Sequence, residues 1–343
     1  MLKAAAAEVA RRQSTARLSN AAKSLNGIFA VNKPPGISCT GLLDYFKRNI
    51  GRNHNGIPFA VHYERENELR KTGKKVFRRK YQLDLRVGHG GTLDVEAAGV
   101  LLVGIDKGCK LLNKYLTGDK TYMATGRMGA ITDTRDAEGK ILEIHNTKSA
   151  NCDAMQQALP QFIGDIDQIP PVYSAIKVDG KRLYEYARQG EPILDSIRSR
   201  KVHVEDIRLL YFNNPGIKQQ WGQKVALPDD IADYFVSGRY QWDGRNSSKM
   251  QVGDVMTPYS NNPDLPVFQL LIKSGGGVYV RSLIHDLGVK LGCGALMASL
   301  VRVAQGPLRL GRDTINPEDL PYIDRVMNAI RHTENVIAKN RAI

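Results

Sequence analysis

The sequence predicts an α+β (mixed α/β) domain, with an antiparallel or mixed central sheet flanked by helices rather than a doubly wound parallel one. Two observations predict it. Short strand-like apolar runs are interleaved with helix-like stretches along most of the 343 residues. An Asp179-Gly180 pair also sits between two such segments, and that dipeptide suits the tight turn joining antiparallel neighbours. With 42% hydrophobic residues the chain can bury a substantial core. No apolar run approaches the ~18–20 residues that a membrane-spanning helix needs, so no membrane partner is expected.

Taken in order, Gly27 to Val31 reads as a strand, stopped by the turn chemistry of Asn32-Lys33-Pro34-Pro35-Gly36. A helix through Leu42, Leu43 and Phe46 follows. Residues 47–86 are polar and basic, with seven Lys or Arg and no acid between Arg70 and Lys80, and read as an inserted, exposed arm. Val100 to Ile105 is a buried strand, Lys110 to Leu116 a short helix, and Tyr122 to Met128 an alternating strand. Thr132 to Gly139 is a polar loop and 151–163 a helix. Pro170-Pro171 marks a sharp extended turn. Residues 173–190 hold a strand, the hairpin signal and a short helix ending at Gly190. Residues 200–212 read as a strand pair. From about 213 to 264 periodicity gives way to Asn, Gly, Pro, Asp and Ser, the mark of a second insertion. Residues 267–273 are a strand, Gly275-Gly276-Gly277 a turn, and 279–291 a strand end leading into a helix. A helical stretch at about 317–339 closes the chain.

The expected organisation is therefore a basic tail or targeting segment at 1–25, one domain at 26–310 carrying the two insertions, and a helical tail at 311–343. A net charge of +14 and a pI of about 9.6 point to a polyanionic partner, above all nucleic acid. Cys39, Cys109, Cys152 and Cys293 are scattered, with no C-x-x-C pair and no neighbouring His at zinc spacing. Neither a structural zinc nor a disulfide framework is expected. The first two dozen residues are Arg-rich, Ser-containing and nearly free of acid, the composition of a mitochondrial transit peptide or of a basic tail that touches RNA.

The chemistry concentrates in Val87-Gly88-His89-Gly90-Gly91-Thr92-Leu93-Asp94. Three glycines permit sharp turns and close approach of another chain. Asp94 stands on this loop just ahead of a buried strand, where a carboxylate can act as nucleophile or general base. A turn-forming or capping aspartate is the plainer alternative. The run is not a phosphate-binding P-loop, since it lacks the closing Gly-Lys-Ser/Thr. Nor is its spacing that of a dinucleotide-binding G-x-G-x-x-G.

The segment Gly88 to Leu101 resembles the signature of the TruB family of pseudouridine synthases. Asn32 to Ser38, Asp119-Lys120-Thr121-Tyr122, Pro170 to Lys177 with Tyr184 to Gly190, Gly277 to Leu283, and Leu300-Val301-Arg302 are similar to further blocks of that family, in the family's order, across about 27–306. The resemblance implies the pseudouridine-synthase fold, with an active-site cleft across the sheet. It implies that Asp94 attacks a flipped nucleoside covalently and that Arg281 pairs with it. Tyr122 would stack on the target uracil, and Tyr279 would lie against the base and assist proton removal from C5. His89 would help displace the base, Leu300 line the pocket, and Lys33 with Pro34 brace the catalytic loop. Asp136 would lie on the RNA-binding side. The chemistry is consistent with these roles. A carboxylate nucleophile must stay ionised out of water, and an adjacent arginine favours that form. Extruding a base from its stack costs a few kcal/mol, and an aromatic platform recovers roughly 1–3 kcal/mol.

Within the family, the basic arm resembles that of fungal stand-alone enzymes, which act on the T-loop uridine at tRNA position 55. About forty residues follow Arg302, too few for the PUA domain that bacterial and guided members carry. The resemblance thus implies a tRNA isomerase working through the T-arm as a monomer. It would need no cofactor, metal or guide RNA, would include some mRNA sites among its targets, and would reside in the nucleus, the mitochondrion or the cytoplasm. The alternatives are an RNA-guided, dyskerin-like rRNA enzyme and a tRNA-folding factor on the same scaffold.

Overall fold

The first strand, β1 (Gly27–Lys33), runs two residues beyond its apolar stretch, and the turn begins only at Pro35. These positions belong to a computed structural model that describes residues 25–51, 85–174, 176–178, 180–189, 197–217, 219–222 and 265–341. The basic tail, Asp179, most of the 47–86 arm and most of the 213–264 insertion lie outside the described residues. Helix α1 (Cys39–Asn49) starts where the Ser38 side chain accepts a hydrogen bond from Gly41 N. It buries Leu42, Leu43 and Phe46 on one face and ends on Lys47 and Arg48, cations that suit a helix C-terminus. After β2 (Val87–His89) comes β3 (Ala98–Ile105), buried at every position. Such a strand reads as an apolar run without alternation.

A 3-10 turn at Asp106–Lys110 leads to α2 (Leu112–Thr117), β4 (Lys120–Met128) and the hairpin of β5 (Ala130–Thr132) with β6 (Ile141–Ile144). Next are α3 (Cys152–Ala158) and β7 (Gly164–Gln168). The hairpin signal is matched by β8 (Lys177–Val178) and β9 (Lys181–Arg182), antiparallel with Lys177 opposite Arg182, and α4 (Leu183–Gln189) follows. The remaining elements are β10 (Arg200–Asn214), β11 (Gln219–Gly222), β12 (Val267–Ser274), α5 (Val280–Lys290), β13 (Ala295–Gln305), β14 (Leu308–Arg309), β15 (Thr314–Ile315) and α6 (Ile323–Arg341). Among the described residues no helix is long and apolar enough to cross a membrane.

Three of the elements named from the sequence take a different form, and strands β7 and β13 are not named there at all. Residues 200–214 form one 15-residue strand, not a pair. Irregularities at Val204/Asp206 and Leu209/Tyr211 bend it while pairing continues, so no turn residues are needed. Tyr279 ends no strand but is the N-cap of α5. The tail helix starts at Ile323, because Pro317–Asp319 forms its own 3-10 turn, capped reciprocally by Asn316 and Asp319.

The described residues fall into two compact units. In the first, residues 25–51, 85–116 and 304–341, β1 pairs antiparallel with β3 from Gly27↔Ile105 to Lys33↔Gly99 and parallel with β15. That parallel pairing makes the architecture mixed. Phe29 and Phe46 meet edge to face at 5.8 Å, α6 packs on β1, and His332 of α6 reaches Asp313 at 2.9 Å. In the second, the described residues of 117–222 and 265–303, the strand order is β11-β10-β12-β4-β13, with β7 pairing β10 at Arg200 to Val204. Its core is aliphatic and aromatic, with Phe212, Phe268 and Leu270 fully buried. Each such side chain stabilises the fold by about 1.5–3 kcal/mol.

Candidate active site

The Asp94 loop is fixed from both sides by residues of the first unit. The register of β2 on β3 sets His89 opposite Val103, and Gly90 N then donates to Leu102 O at 2.8 Å. The carbonyl of Gly90 accepts from Gln305 Nε2. A Cβ at Gly90 would stand 3.3 Å from Leu112 and 3.4 Å from Leu102, so the loop lies closely against that floor. Gly91 has φ +130°, a conformation that side chains disfavour. Leu93 is buried, and both its peptide groups meet one side chain. Its N–H donates to Cys39 Sγ at 3.2 Å, and the Cys39 thiol donates to its carbonyl at 3.4 Å.

Asp94 itself is half-buried, and its carbonyl accepts from Ala97 N at 3.2 Å. Just beyond it lies Lys33, whose side chain is fully buried. Its ammonium donates to Val95 O at 3.0 Å, Ala97 O at 2.6 Å and Pro34 O at 2.9 Å. An ammonium has three N–H donors, and here three carbonyl dipoles meet them, which offsets its loss of water. Gly36 N adds a second bond to Val95 O at 3.0 Å. Lys33 was singled out in the sequence, while Cys39 and Gln305 carried no sequence signal.

In the second unit, Arg281 sits in the first turn of α5, buried. It donates to Thr134 O at 3.0 Å, Tyr173 O at 3.0 Å and Asp136 Oδ2 at 3.2 Å. The other oxygen of Asp136 accepts from Thr134 Oγ1 at 2.5 Å and Glu138 N at 3.1 Å. The structure thus places the Asp136 carboxylate inside the fold, holding the arginine. Next to it Arg135, with φ +62°, donates to Ser282 Oγ at 2.7 Å and Ile169 O at 3.0 Å. Tyr279 is bracketed by Gln168, which accepts from Tyr279 N at 2.8 Å and donates to Tyr279 O at 3.0 Å. Gln168 is buried and was not singled out in the sequence, because an isolated Gln has no motif to announce it.

Tyr122 lies on β4 opposite Ile272 and is buried, as is Leu300 on β13. Burial pushes the neighbouring Lys120 ammonium down to about 8, with the charge of Arg302 adding to the effect. Burial also pushes His285 on α5 down to about 4, again helped by a cation, Arg135. The first unit therefore gathers Lys33, His89 and Asp94, and the second gathers Tyr122, Asp136, Tyr279, Arg281 and Leu300. Among the described residues no cluster of three His, Cys, Asp or Glu is placed to hold a metal ion.

Comparison with known proteins gives a consistent set. Residues 74–225 match the family described as TruB family pseudouridylate synthase (N terminal domain). The Pseudouridylate synthase TRUB1 of Mus musculus is 31% identical over 97% of this chain and 80% of its own length. The tRNA pseudouridine synthase 4 of Schizosaccharomyces pombe is 33% identical over 83% of this chain and 79% of its own. A solved structure titled "Crystal Structure of a Cbf5-Nop10-Gar1 Complex" is 21% identical, with a TM-score of 0.46, covering 87% of this chain and 54% of that one.

Proposed function

We propose that this chain, which belongs to the TruB family of pseudouridylate synthases, isomerises uridine to pseudouridine at position 55 in the T-loop of tRNA. The observation that carries the reading is the Asp94 loop. A half-buried carboxylate projects from a segment held by the Lys33 ammonium on one side and the Cys39 thiol on the other. Positioning at this level is what a covalent nucleophile needs.

Asp94 attacks C1′ of the uridine and the C1′–N1 bond breaks. The freed uracil turns, C5 bonds to C1′, and the Asp94–C1′ bond breaks to return the carboxylate. The proton on C5 leaves and N1 ends protonated. Atoms balance within the nucleotide and no oxidation state changes. Arg281 supplies the positive charge that keeps Asp94 ionised. Tyr122 supplies a stacking face, Tyr279 aids removal of the C5 proton, and His89 and Leu300 receive the displaced base. Asp136 acts through Arg281.

The enzyme acts as a monomer without a guide RNA. Purified protein incubated with an unmodified tRNA transcript carrying tritium at uridine C5 is expected to release that tritium. Asp94→Asn is expected to release none while binding tRNA within about tenfold of the wild type, because phosphate contacts supply most of the affinity. Equal release by both proteins would sink the nucleophile assignment. Release only after guide RNA and partner proteins are added would replace this reading with the guided one.

A further inference from the structure

We infer that Cys39 is a positioning residue for the reaction: its thiol closes both halves of the Leu93 peptide and so fixes the carboxylate of the next residue, Asp94. The inference rests on Asp94 being the nucleophile. Cys39 is the first residue of α1, following the Ser38 cap, and is 3% exposed. Leu93 is 4% exposed, so solvent does not serve its N–H and C=O. The sulfur accepts from the one at 3.2 Å and the thiol donates to the other at 3.4 Å. A thiol can do both because it carries a weak donor and a weak acceptor at one atom.

The position gives this bridge its consequence. Lys33 and Gly36 hold the chain on the far side of Asp94, at Val95 and Ala97. Cys39 holds it on the near side, at Leu93. Asp94 is therefore suspended between two anchors, both supplied by the segment from Lys33 to Cys39. Without the near anchor, the tie on that side at Gly90 stands four residues before Asp94. A shift of about 1 Å at a reacting group is enough to slow chemistry on the order of a hundredfold.

Side-chain size and side-chain polarity make different demands here. Valine offers no hydrogen bond and is larger than cysteine by roughly one methylene, so it also overpacks a buried site. Serine keeps a donor and an acceptor, but hydroxyl bonds are shorter, about 2.8 Å, so the loop must draw in to meet it. Alanine is close to serine in size and lacks both. If Cys39 serves only to fill space, Ala should replace it about as well as Ser. If it positions Leu93, Ser should replace it better than Ala.

The test compares wild type, Cys39→Ser, Cys39→Val, Cys39→Ala and Asp94→Asn in single-turnover tritium release at saturating tRNA, with tRNA affinity and thermal melting measured alongside. The expected order of rates is wild type, Ser, then Val and Ala, with Ala at least about tenfold below wild type and tRNA affinity within about twofold throughout. An Ala variant that unfolds while Ser stays folded and active supports the inference. Ala reacting at the wild-type rate, Ala or Val equalling or exceeding Ser, or a Ser variant that unfolds overturns it. Asp94→Asn separates the two readings. If it is active, the nucleophile assignment falls whatever Cys39 does. If it is inactive while Ala at position 39 reacts normally, only the role of Cys39 falls.

Discussion

Arg281 Nη1 meets Asp136 Oδ2 at 3.2 Å with 6% and 17% of the two side chains exposed, so a cation and an anion distant in sequence form a largely buried pair. Removing one member of such a pair leaves a charge that the fold must accommodate, at about 3–5 kcal/mol. Asp136→Ala is therefore expected to lower the unfolding free energy obtained from urea titration by an amount in that range. It should also slow isomerisation more than tenfold, because the arginine loses the carboxylate that orients it, while tRNA binding changes little. Unchanged stability together with an unchanged rate would show that the pair does not position Arg281.

Gln168 makes a second prediction. Its amide holds both sides of the Tyr279 peptide, at 2.8 and 3.0 Å, just where α5 begins. Gln168→Leu keeps the bulk and leaves two buried backbone groups without that partner, at about 1–3 kcal/mol each. Melting temperature should fall and the single-turnover rate should drop. Gln168→Glu should recover only part of either, because a carboxylate accepts from Tyr279 N but cannot donate to its carbonyl. Full recovery with Glu would show that the donor half of the bridge contributes nothing.

How far the sequence discloses this site differs from residue to residue. Asp94, Lys33 and Arg281 are legible because each stands in a local run whose letters carry meaning together. Cys39 and Leu93 are 54 positions apart, and nothing local in either says that one thiol will serve both backbone polar groups of one residue. Asp136 is legible as a polar loop residue, yet its partner lies 145 positions away, so its internal role appears only once β5, the loop and α5 are folded. The fold shows the same division. The pairing of β8 with β9 and the capped helix at Cys39 follow from short-range chemistry. Strand β13 does not, since it is buried over nearly its whole length and shows no alternation. The parallel pairing of Ala30 with Thr314 is a long-range contact without a local signature.

His285 gives a pH dependence whose sign is fixed. Burial and Arg135 hold its imidazole down to about 4, against an ordinary value of 6.5, and its Nδ1 has no hydrogen-bond partner among the described residues. Between about pH 6.5 and 4 the unfolded chain binds a proton that the folded chain refuses. The stability this contributes is fully present above about 6.5 and is lost as pH falls towards 4. Compared with His285→Gln, the wild type should lose about 1–2 kcal/mol across that window, allowing for the partial exposure of the ring. Parallel urea midpoints for the two proteins from pH 7 to 4 would contradict this.

Lys33 makes the most demanding prediction, because its charge and its shape both matter. The ammonium is enclosed by the carbonyls of Pro34, Val95 and Ala97 at 2.9, 3.0 and 2.6 Å, with no part of the side chain exposed. Lys33→Met preserves the stem and removes all three bonds. Each carbonyl left without its donor costs roughly 1–3 kcal/mol, and neighbouring losses do not add fully, so a total of about 3–5 kcal/mol is expected. Lys33→Arg keeps the charge but brings a planar, wider fork that does not fit three carbonyls converging on one point. It should therefore resemble Met, not the wild type, in both urea midpoint and single-turnover rate. The Asp94 loop lies directly on this cage, so the rate should fall further than tRNA affinity does. An Arg variant with wild-type rate and stability would show that positive charge alone, rather than the point-like geometry of the ammonium, holds the loop.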